Sequence, residues 1–311
     1  MSHLLVVMSA RPHILVVNGR KVRQPVFVIG APHSGADLLA RALKQSAGFH
    51  VTIGQRSVLS VVYAFARSPS IQRGRGDAAA TVLRDAYAQA WQVTARGCMA
   101  CSPQCREAGG VNGSGSCVRE RDIVRYGDAC PDLVYCAEAL VDAFADARIV
   151  QIIRDGRDVV ANMLADAEAL AWFKPGVANV DSEFPNPFFG IDTETDQEAW
   201  PGLSLAGKCA MRWRGSVRIM ARLRRSLSAE QLTTLRYEQV IRHPDATAKA
   251  ISAFVGSAVQ PVQVRGRFRW LPGSQPPAVE AGGWRRLLTR SQLTDIEQVA
   301  GTELRRVGYD K

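Results

Sequence analysis

The sequence predicts an α/β fold in which helices cover both faces of a central parallel sheet. Short, largely apolar runs, such as residues 26–29 and residues 148–153, have the composition of strands that are buried on both faces. Segments with apolar side chains at helical spacing alternate with these strands, and this alternation is typical of parallel sheets. We therefore expect residues 1–311 to form a single α/β domain with insertions.

The composition excludes wholesale disorder and points to an anionic partner. Of the 311 residues, 47% are hydrophobic and 22% are charged, as in ordinary globular proteins. Lysine and arginine number 39 against 29 acidic residues, and the net charge of +10 favours an anionic nucleotide or a nucleic acid as partner. The basic residues are dispersed and form no stripe with aromatic residues, so nucleic acid is the less favoured partner.

The apolar runs also bear on the location of the protein. They are far shorter than the ~18–20 residues that cross a bilayer, which predicts no membrane span. Residues 1–11 lack the basic start of a secretory signal, so we expect a cytoplasmic protein. The sequence leaves open whether the chain forms a homo-oligomer.

The first predicted elements surround a glycine-bounded loop. Residues 4–7 and 14–17 are β-branched runs that predict an edge hairpin, and Asn18-Gly19 is a strong turn signal. Residues 26–29 then predict a buried strand, and the loop from Gly30 to Gly35 follows it. A helix is predicted next from the spacing of Leu38, Leu39, Ala42 and Leu43.

The same strand–helix unit returns in the second half of the chain. The segments predicted there are helix 137–144, strand 148–153, helix 159–172, strand 232–235 and helix 246–255. A longer amphipathic helix is predicted over residues 204–227. We interpret its basic side as a solvent-exposed face, formed by Arg212, Arg214, Arg218, Arg222 and Arg225.

Two stretches do not fit the sheet and are predicted to be insertions over its open end, where ligands of such folds bind. The first, residues 96–125, is rich in cysteine and glycine. The second, residues 174–207, is interpreted as a lid on the side of an acceptor substrate. Nearby aromatic residues either line that lid or simply hold a long loop to the body: Phe173, Phe184, Phe188, Phe189 and Trp200.

The loop Gly30-x4-Gly35 has the spacing of a loop whose backbone N–H groups wrap an anion at a helix N-terminus. An ATPase or GTPase needs Lys and then Ser or Thr after the second glycine, to reach the terminal phosphates and hold magnesium. Ala36 and Asp37 occupy these positions, which disfavours magnesium-dependent phosphoryl transfer and leaves an anion cradle. The alternative is that the glycines serve only the geometry of a strand–helix turn.

A second polar motif follows the strand at residues 148–153. Arg154 ends that strand, and Asn162 lies within the helix that comes next. Side chains at these two positions can grip one phosphate from two sides. In the alternative interpretation, Arg157 and Asp158 pair with each other or cap the helix.

In this order, the motifs resemble the PAPS-dependent sulfotransferases, which use 3′-phosphoadenosine 5′-phosphosulfate (PAPS) as donor. The matching residues are Gly30-Ala31-Pro32-His33-Ser34-Gly35, Arg154-Asp155-Gly156-Arg157-Asp158-Val159-Val160, residues 235–240, His243-Pro244, and residues 283–287 with 307–309. The resemblance covers most of the chain from Pro25 onward. It implies a P-loop-like sulfotransferase fold and a transferase that moves a sulfuryl group to a hydroxyl or amine of a small-molecule acceptor.

The resemblance also implies roles for individual residues. The 3′-phosphate of the nucleotide would be held by Arg154 and Asn162, and Tyr237 would lie beside the adenosine. The 5′-phosphosulfate would be surrounded by Gly30, Ala31, Pro32, His33, Ser34, Gly35, Ala36 and Asp37.

The chain departs from the family at several of these positions. His33 stands where the family usually has Arg or Lys, and Ala36 and Asp37 stand where two Thr are usual. Asn162 replaces a serine, and Ala129 replaces a common Lys. The basic element expected before Trp284 is absent, with three nearby arginines as substitutes: Arg265, Arg267 and Arg269. The altered loop supports an alternative in which the protein binds nucleotide as a regulatory or interaction module without turnover.

Sulfuryl transfer needs a base for the proton of the acceptor and positive charge near the leaving oxygen. His33 would supply that charge if protonated, or would itself act as the base. Many relatives carry Glu or His after the second strand, and His50 is the candidate base in that region. Asp37 is the reserve candidate.

Six of the seven cysteines fall between Cys98 and Cys136. The spacing Cys98-x2-Cys101-x3-Cys105, with Cys117 further on, predicts a structural zinc site. Disulfides and an iron–sulfur cluster are the alternatives. We expect Cys130 and Cys136 to be buried or spare thiols.

Overall fold

The computed structural model describes residues 14–72, 77–94, 97–98, 101–111, 115–263 and 280–309. Its strands are β1 (Val16–Val17), β2 (Arg20–Lys21), β3 (Val26–Gly30), β4 (Phe49–Thr52), β5 (Val93–Thr94), β6 (Gly97–Cys98), β7 (Arg125–Asp128), β8 (Arg148–Ile153) and β9 (Leu232–Arg236). Five of them form a parallel sheet in the order β4-β7-β3-β8-β9. Two antiparallel pairs, β1 with β2 and β5 with β6, lie outside this sheet.

Helices connect the strands. They are α1 (Ala36–Lys44), α2 (Arg56–Arg67), α3 (Asp77–Ala90), α4 (Pro103–Ala108), α5 (Ala137–Ala143), α6 (Gly156–Leu164), α7 (Ala167–Ala171), α8 (Glu194–Ala199), α9 (Leu205–Ser226), α10 (Tyr237–Arg242), α11 (Pro244–Val255), α12 (Trp284–Leu287) and α13 (Arg290–Arg306). Short 3-10 turns cover Pro69–Ile71, Glu120–Asp122, Leu133–Cys136 and Trp200–Gly202.

Alternate residues of β3 enter two different hydrophobic cores. Phe27 and Ile29 belong to a core that includes side chains of α3, α5 and α9. Val26 and Val28 belong to a second core with side chains of α1 and α11. Because successive side chains of a strand point to opposite faces, helices cover the sheet on both sides. The predicted fold class is therefore confirmed.

The strand register determines which loops meet. β3 is the central strand, and Gly30 at its end pairs with Ile152 of β8. In turn, Ile153 of β8 pairs with Arg236 of β9. All of these strands run in the same direction, so the segments that follow them lie at the same edge of the sheet. The loop after β3, Arg154 after β8 and Tyr237 after β9 are thereby brought together.

The predicted helix over residues 159–172 was wrong in one respect, because the structure divides it into α6 and α7. Asp166 lies just beyond the end of α6 and caps α7. Its carboxylate accepts hydrogen bonds from the backbone N–H groups of Glu168 and Ala169, at 2.9 and 3.3 Å. An aspartate at this position satisfies amide groups that a new helix would otherwise leave without partners.

The predicted hairpin has a different second strand in the described part of the chain. Val16–Val17 pairs with Arg20–Lys21 across Asn18 and Gly19, whose φ angles of 52° and 68° are both positive. Two positive φ angles are characteristic of the two-residue hairpin turn for which Asn-Gly is the preferred sequence. The predicted partner strand, residues 4–7, lies outside the described residues.

The interpretation of the arginines of α9 as a solvent-exposed face was wrong for three of the five. Arg212 and Arg214 are only 1% and 8% exposed. Arg212 pairs with Asp132 at 2.7 Å, and Arg214 pairs with Asp196 at 2.7 Å. Arg218 bridges Asp192 and Glu303. Helical spacing identified the face correctly, but acids from distant segments cover it.

The two predicted insertions pack in different ways. Residues 97–98, 101–111 and 115–125 contact β4 and the C-terminal half of α1, through pairs such as Arg41 with Glu107 at 3.1 Å. In residues 174–207, Phe188, Phe189 and Trp200 are buried, and Phe189 packs edge-on against each of the other two, while Phe184 is 42% exposed. These three buried rings hold the segment to the body of the protein. No helix in the described residues is long and apolar enough to span a bilayer.

Candidate active site

The loop between β3 and α1 is tightly folded. Gly35 precedes α1 with a φ of 94°, and His33 has a φ of 60°, so two residues of the loop adopt left-handed conformations. Ser34 is 1% exposed, and its hydroxyl donates to the carbonyl oxygen of Ala31 at 2.6 Å. The first backbone N–H groups of α1 lie at the mouth of this loop, where a helix leaves amide donors for an anion.

Arg154 and Tyr237 close one side of this loop. Arg154 is 2% exposed, and its Nη1 donates to the carbonyl oxygen of His33 at 3.0 Å. Its guanidinium carbon lies 4.2 Å from the centre of the Tyr237 ring. A β-carbon at position 35 would lie 2.5 Å from Cδ2 of Tyr237, so only glycine fits there. The structure thus brings together the loop, Arg154 and Tyr237, as the sequence predicted.

Asp158 has a contact that neither interpretation of the sequence anticipated. Its carboxylate accepts hydrogen bonds from the backbone N–H groups of Gly282 and Trp284, at 2.7 and 2.8 Å. Burial raises the pKa of Asp158 above its ordinary value although these hydrogen bonds oppose the shift. Asp155, the residue that caps α6, is the actual partner of Arg157, at 2.8 Å. Residues 282–284 are therefore attached to the start of α6.

Arg154 also contacts this C-terminal segment, because its Nη2 donates to the carbonyl oxygen of Glu280 at 3.3 Å. Asn162 lies further along α6 and is 4% exposed. Arg265, Arg267 and Arg269, the predicted basic substitutes, lie outside the described residues.

His33 has an acidic partner that sequence reasoning missed. Its Nε2 lies 3.0 Å from Oδ2 of Asp166, and both side chains are largely buried. The hydrogen bond from His33 lowers the pKa of Asp166 below its ordinary value, so this carboxylate stays ionised. The one local signal was an aspartate, a typical helix-start residue, in the middle of a predicted helix.

Asp37 lies in the first turn of α1. Burial raises its pKa above the ordinary value although the charges of Arg41 and His33 act in the opposite direction. The Asp37 carboxylate is also among the charges that act on Tyr237. Asp37 is thus a carboxylate just after the loop from Gly30 to Gly35, called the anion loop below, and it has a raised proton affinity.

His50 lies in β4, where it is paired with Tyr126 of β7, and is 1% exposed. Its ring packs edge-on against the Tyr126 ring at 6.0 Å. Burial, assisted by the charge of Lys44, lowers the pKa of His50 to about 4. Neither ring nitrogen has a hydrogen-bond partner among the described residues. The contacts of His50 in this part of the chain do not join it to the loop that carries His33.

Two polar residues follow β4 at the edge of the sheet where the anion loop lies. Gln55 is fully buried, and both polar atoms of its side chain lack hydrogen-bond partners among the described residues. The buried hydroxyl of Ser57 has none there either. Such groups are costly to bury without a partner, which makes them candidates for contact with a bound molecule.

The predicted metal ligands form a compact group away from the loop. The Sγ atoms of Cys98, Cys101 and Cys117 all lie within 4.8 Å of one another. Cys105 is fully buried beside them, and its Sγ lies 3.8 Å from the carbonyl oxygen of Val51. The other cysteines of the region, Cys130 and Cys136, are buried free thiols, as predicted.

Comparison with known proteins points to one family. A family model described as the sulfotransferase family matches residues 25–261. Among solved structures, the chain is similar to the sulfotransferase domain of the Synechococcus PCC 7002 olefin synthase, with 15% identity, a TM-score of 0.47, and coverage of 90% of this chain and 94% of that one. A search of curated proteins found no match.

Two further similar structures are a sulfotransferase from Alicyclobacillus acidocaldarius and a mouse sulfotransferase complexed with PAP. The first is 16% identical, with a TM-score of 0.42 and coverage of 90% of this chain and 96% of that one. The second is 12% identical, with a TM-score of 0.42 and coverage of 91% and 86%.

Proposed function

Because the chain belongs to the sulfotransferase family, whose model matches residues 25–261, we propose that it transfers a sulfuryl group from PAPS to a hydroxyl or amine of a small-molecule acceptor. The observation that carries this proposal is the convergence of three elements at one edge of the sheet. The anion loop, the buried Arg154 guanidinium and the Tyr237 ring contact one another there.

The residues at this edge fit an anionic nucleotide. The loop offers backbone N–H groups at the start of α1, and Arg154 offers a buried positive charge with a planar donor group. Asn162 adds a side-chain donor on α6, and Tyr237 adds an aromatic ring beside Arg154. We propose that the 5′-phosphosulfate binds at the loop, and that the 3′-phosphate binds Arg154 and Asn162.

In the proposed reaction, an oxygen or nitrogen of the acceptor forms a bond to sulfur while the bond between sulfur and the bridging phosphate oxygen breaks. The leaving product is adenosine 3′,5′-bisphosphate (PAP), and a base takes the proton of the acceptor. We propose that protonated His33 stabilises the charge that develops on the leaving oxygen. Asp166 supports this role, since its contact at 3.0 Å fixes the orientation of the imidazole ring in the loop.

The base is proposed to be Asp37 or His50, and the surroundings of each residue favour Asp37. Asp37 lies in the first turn of α1, directly after the anion loop, and its raised pKa makes it a stronger base than an ordinary aspartate. A pKa of about 4 leaves His50 neutral at pH 7, as a base must be, but makes it a weak one. Gln55 is proposed to contact the acceptor, because its amide is buried without a partner at the same edge.

A second candidate function is nucleotide binding without turnover, and the sequence of the loop favours it. Ala36 and Asp37 occupy the positions where the family usually has hydroxyl donors for the donor phosphates. A negative charge from Asp37 at this position would also repel an anion. Such a protein would keep the Arg154 and Tyr237 contacts and act as a regulatory or interaction module.

A single-turnover assay with labelled PAPS, run against phenols, alcohols and amines, distinguishes the two candidates. Transfer of label to any acceptor supports the enzyme. PAP binding without transfer across the panel favours the binding module. Calorimetry with PAP and with ATP tests both proposals together, because a preference for ATP would contradict a PAPS-type nucleotide site.

A further inference from the structure

A second group of reactive side chains lies beside the C-terminal end of α1 and next to β4. Three sulfur atoms, those of Cys98, Cys101 and Cys117, lie within 4.8 Å of one another, and those of Cys101 and Cys117 are 3.3 Å apart. Around a tetrahedral zinc ion with Zn–S bonds of about 2.3 Å, neighbouring sulfurs are about 3.8 Å apart. We infer that Cys98, Cys101, Cys105 and Cys117 form a structural zinc site that holds the cysteine-rich segment together where it contacts α1 and β4.

Cys105 supplies the fourth ligand. It lies in the first turn of α4, where the hydroxyl of Ser102 accepts a hydrogen bond from its backbone N–H at 3.0 Å. The Sγ of Cys117 lies 3.9 Å from the carbonyl oxygen of Cys105, so α4 and Cys117 are neighbours. Four cysteine ligands close the coordination sphere of zinc, which is the arrangement of structural sites and not of catalytic ones.

Lys44 provides the positive charge that such a site requires. Four thiolates carry more negative charge than one zinc ion neutralises, and a buried ammonium group is costly without an anionic partner. Lys44 is 7% exposed, and its Nζ donates to the carbonyl oxygen of Val51 at 2.8 Å. The Sγ of Cys105 contacts this same oxygen. A β-carbon at Gly109 would lie 3.1 Å from Cε of Lys44 and 3.3 Å from Cβ of Cys117, so lysine and ligand lie side by side.

The contacts around the proposed ion indicate that it would stabilise the cysteine-rich segment. The hydroxyl of Ser102 donates to the carbonyl oxygen of Ile53, just beyond β4. Lys44 is the last residue of α1, the helix that begins at the anion loop. The cysteine-rich segment has few elements of its own, and a bound ion would supply the stability that its small core does not.

The two alternatives fit less well. A disulfide needs sulfurs about 2.05 Å apart, and all seven cysteines are free thiols in the structure. An iron–sulfur cluster spreads its thiolates over several iron ions, whereas these sulfurs surround a space of single-ion size.

The test is the metal content of the full-length protein, purified without chelator and under reducing conditions. We expect about one zinc ion per chain by elemental analysis, no stoichiometric iron, and four thiols that are protected from alkylation until the metal is removed. Cys101→Ser should lose the metal, and Cys209→Ala, which removes a buried thiol on α9, should keep it. Cobalt substitution should produce the visible spectrum of a tetrahedral tetrathiolate site, and Cys105→Ser should change that spectrum.

Because the Cys101→Ser variant can fail to fold, the zinc site is also tested in the wild-type protein. Chelation should lower its melting temperature, and added zinc should restore it. Failure of the reduced protein to take up zinc would overturn the proposal. A disulfide in the cluster under native mass spectrometry, or a stoichiometric iron chromophore, would overturn it as well. Alkylation of all four thiols in the zinc-loaded protein would also exclude them as ligands.

Discussion

Nε2 of His33 lies 3.0 Å from Oδ2 of Asp166, and this contact joins the loop after β3 to the start of α7. The pair links two segments that are far apart in the chain, at a position where the family usually carries Arg or Lys. It gives the histidine of the anion loop a carboxylate partner that sets the orientation of its ring.

His33→Ala should lower turnover by about 10²-fold, since it removes a group that stabilises charge on the leaving oxygen. His33→Arg should restore much of the activity, because arginine supplies the charge but cannot act as a base. Steady-state kinetics of the two variants with PAPS check this prediction. Loss of activity in both variants would instead indicate that His33 is the base.

Arg154→Ala should weaken PAP binding by about 5-fold to about 150-fold, which corresponds to about 1–3 kcal/mol for a charge-assisted contact. Calorimetry with PAP and with AMP, which lacks the 3′-phosphate, provides the decisive comparison. The wild-type protein should prefer PAP, and the variant should lose that preference. The control is Arg225→Ala, which changes an exposed arginine of α9. A preference for PAP that survives in Arg154→Ala would remove Arg154 from the 3′-phosphate site.

Asp37→Asn should bind the donor more tightly and turn over about 10²-fold more slowly, because it removes both a negative charge and a base. The raised pKa of Asp37 predicts that the wild-type rate increases with pH above the ordinary range of an aspartate. His50→Gln is the matched comparison, and we expect its turnover to change only a few-fold. A larger loss of kcat in His50→Gln than in Asp37→Asn would instead identify His50, the candidate from the sequence, as the base.

Asp128 should contribute stability that decreases as the pH rises through about 7, whereas His50, with a pKa lowered to about 4, contributes in the opposite direction up to the ordinary range of an imidazole. Burial raises the pKa of this carboxyl to about 7, against hydrogen bonds from Thr52, Cys130 and Tyr87. The folded state therefore holds a proton that the unfolded state releases near pH 4. This contribution is fully present below pH 4 and disappears as the pH rises through 7.

Urea unfolding at pH 5 to 8 measures this effect, whose slope is at most about 1.4 kcal/mol per pH unit for one proton. The stability of the wild type relative to Asp128→Asn should decrease over this range, while its stability relative to Asp181→Asn, a change at an exposed position, should stay constant. Parallel profiles for the wild type and Asp128→Asn would contradict the assignment.

Asp132→Asn should lower the free energy of unfolding by about 3–5 kcal/mol, because it leaves the buried Arg212 without its ionic partner. Asparagine tolerates the positive φ of 62° at this position, so the change tests charge and not backbone strain. Asp122→Asn, in an exposed pair with Arg119, should cost less than about 1 kcal/mol. The double variant Asp132→Asn with Arg212→Met should recover part of the loss in the same urea experiment.

The central strands were predictable because burial on both faces leaves a local pattern in the sequence. β3 and β8 are short apolar runs, and both were located within a residue of their ends. The break between α6 and α7 was missed because the apolar spacing continues through Asp166, and only its capping hydrogen bonds reveal a new helix.

Within the candidate site too, local motifs were predictable and contacts between distant segments were not. Gly30, Gly35 and Arg154 are recognisable because the loop and the strand end are local motifs. The contact of His33 with Asp166, and those of Asp158 with Gly282 and Trp284, join segments that are remote in sequence. Similarly, the spacing of α9 identified its arginines but not the distant acids that bury Arg212 and Arg214. Such pairings arise from the tertiary arrangement and leave no periodic signal.

The parallel register of β3, β8 and β9 has a consequence for how this protein can change in evolution. Gly30 is level with Ile152, and Ile153 is level with Arg236. The length of each strand therefore fixes the position of the functional residue that follows it. Deletion of one residue within β8 would turn Arg154 toward the opposite face of the sheet. Additions to the connecting segments leave this register unchanged, so long segments such as residues 174–207 can vary while the edge that carries the anion loop stays aligned.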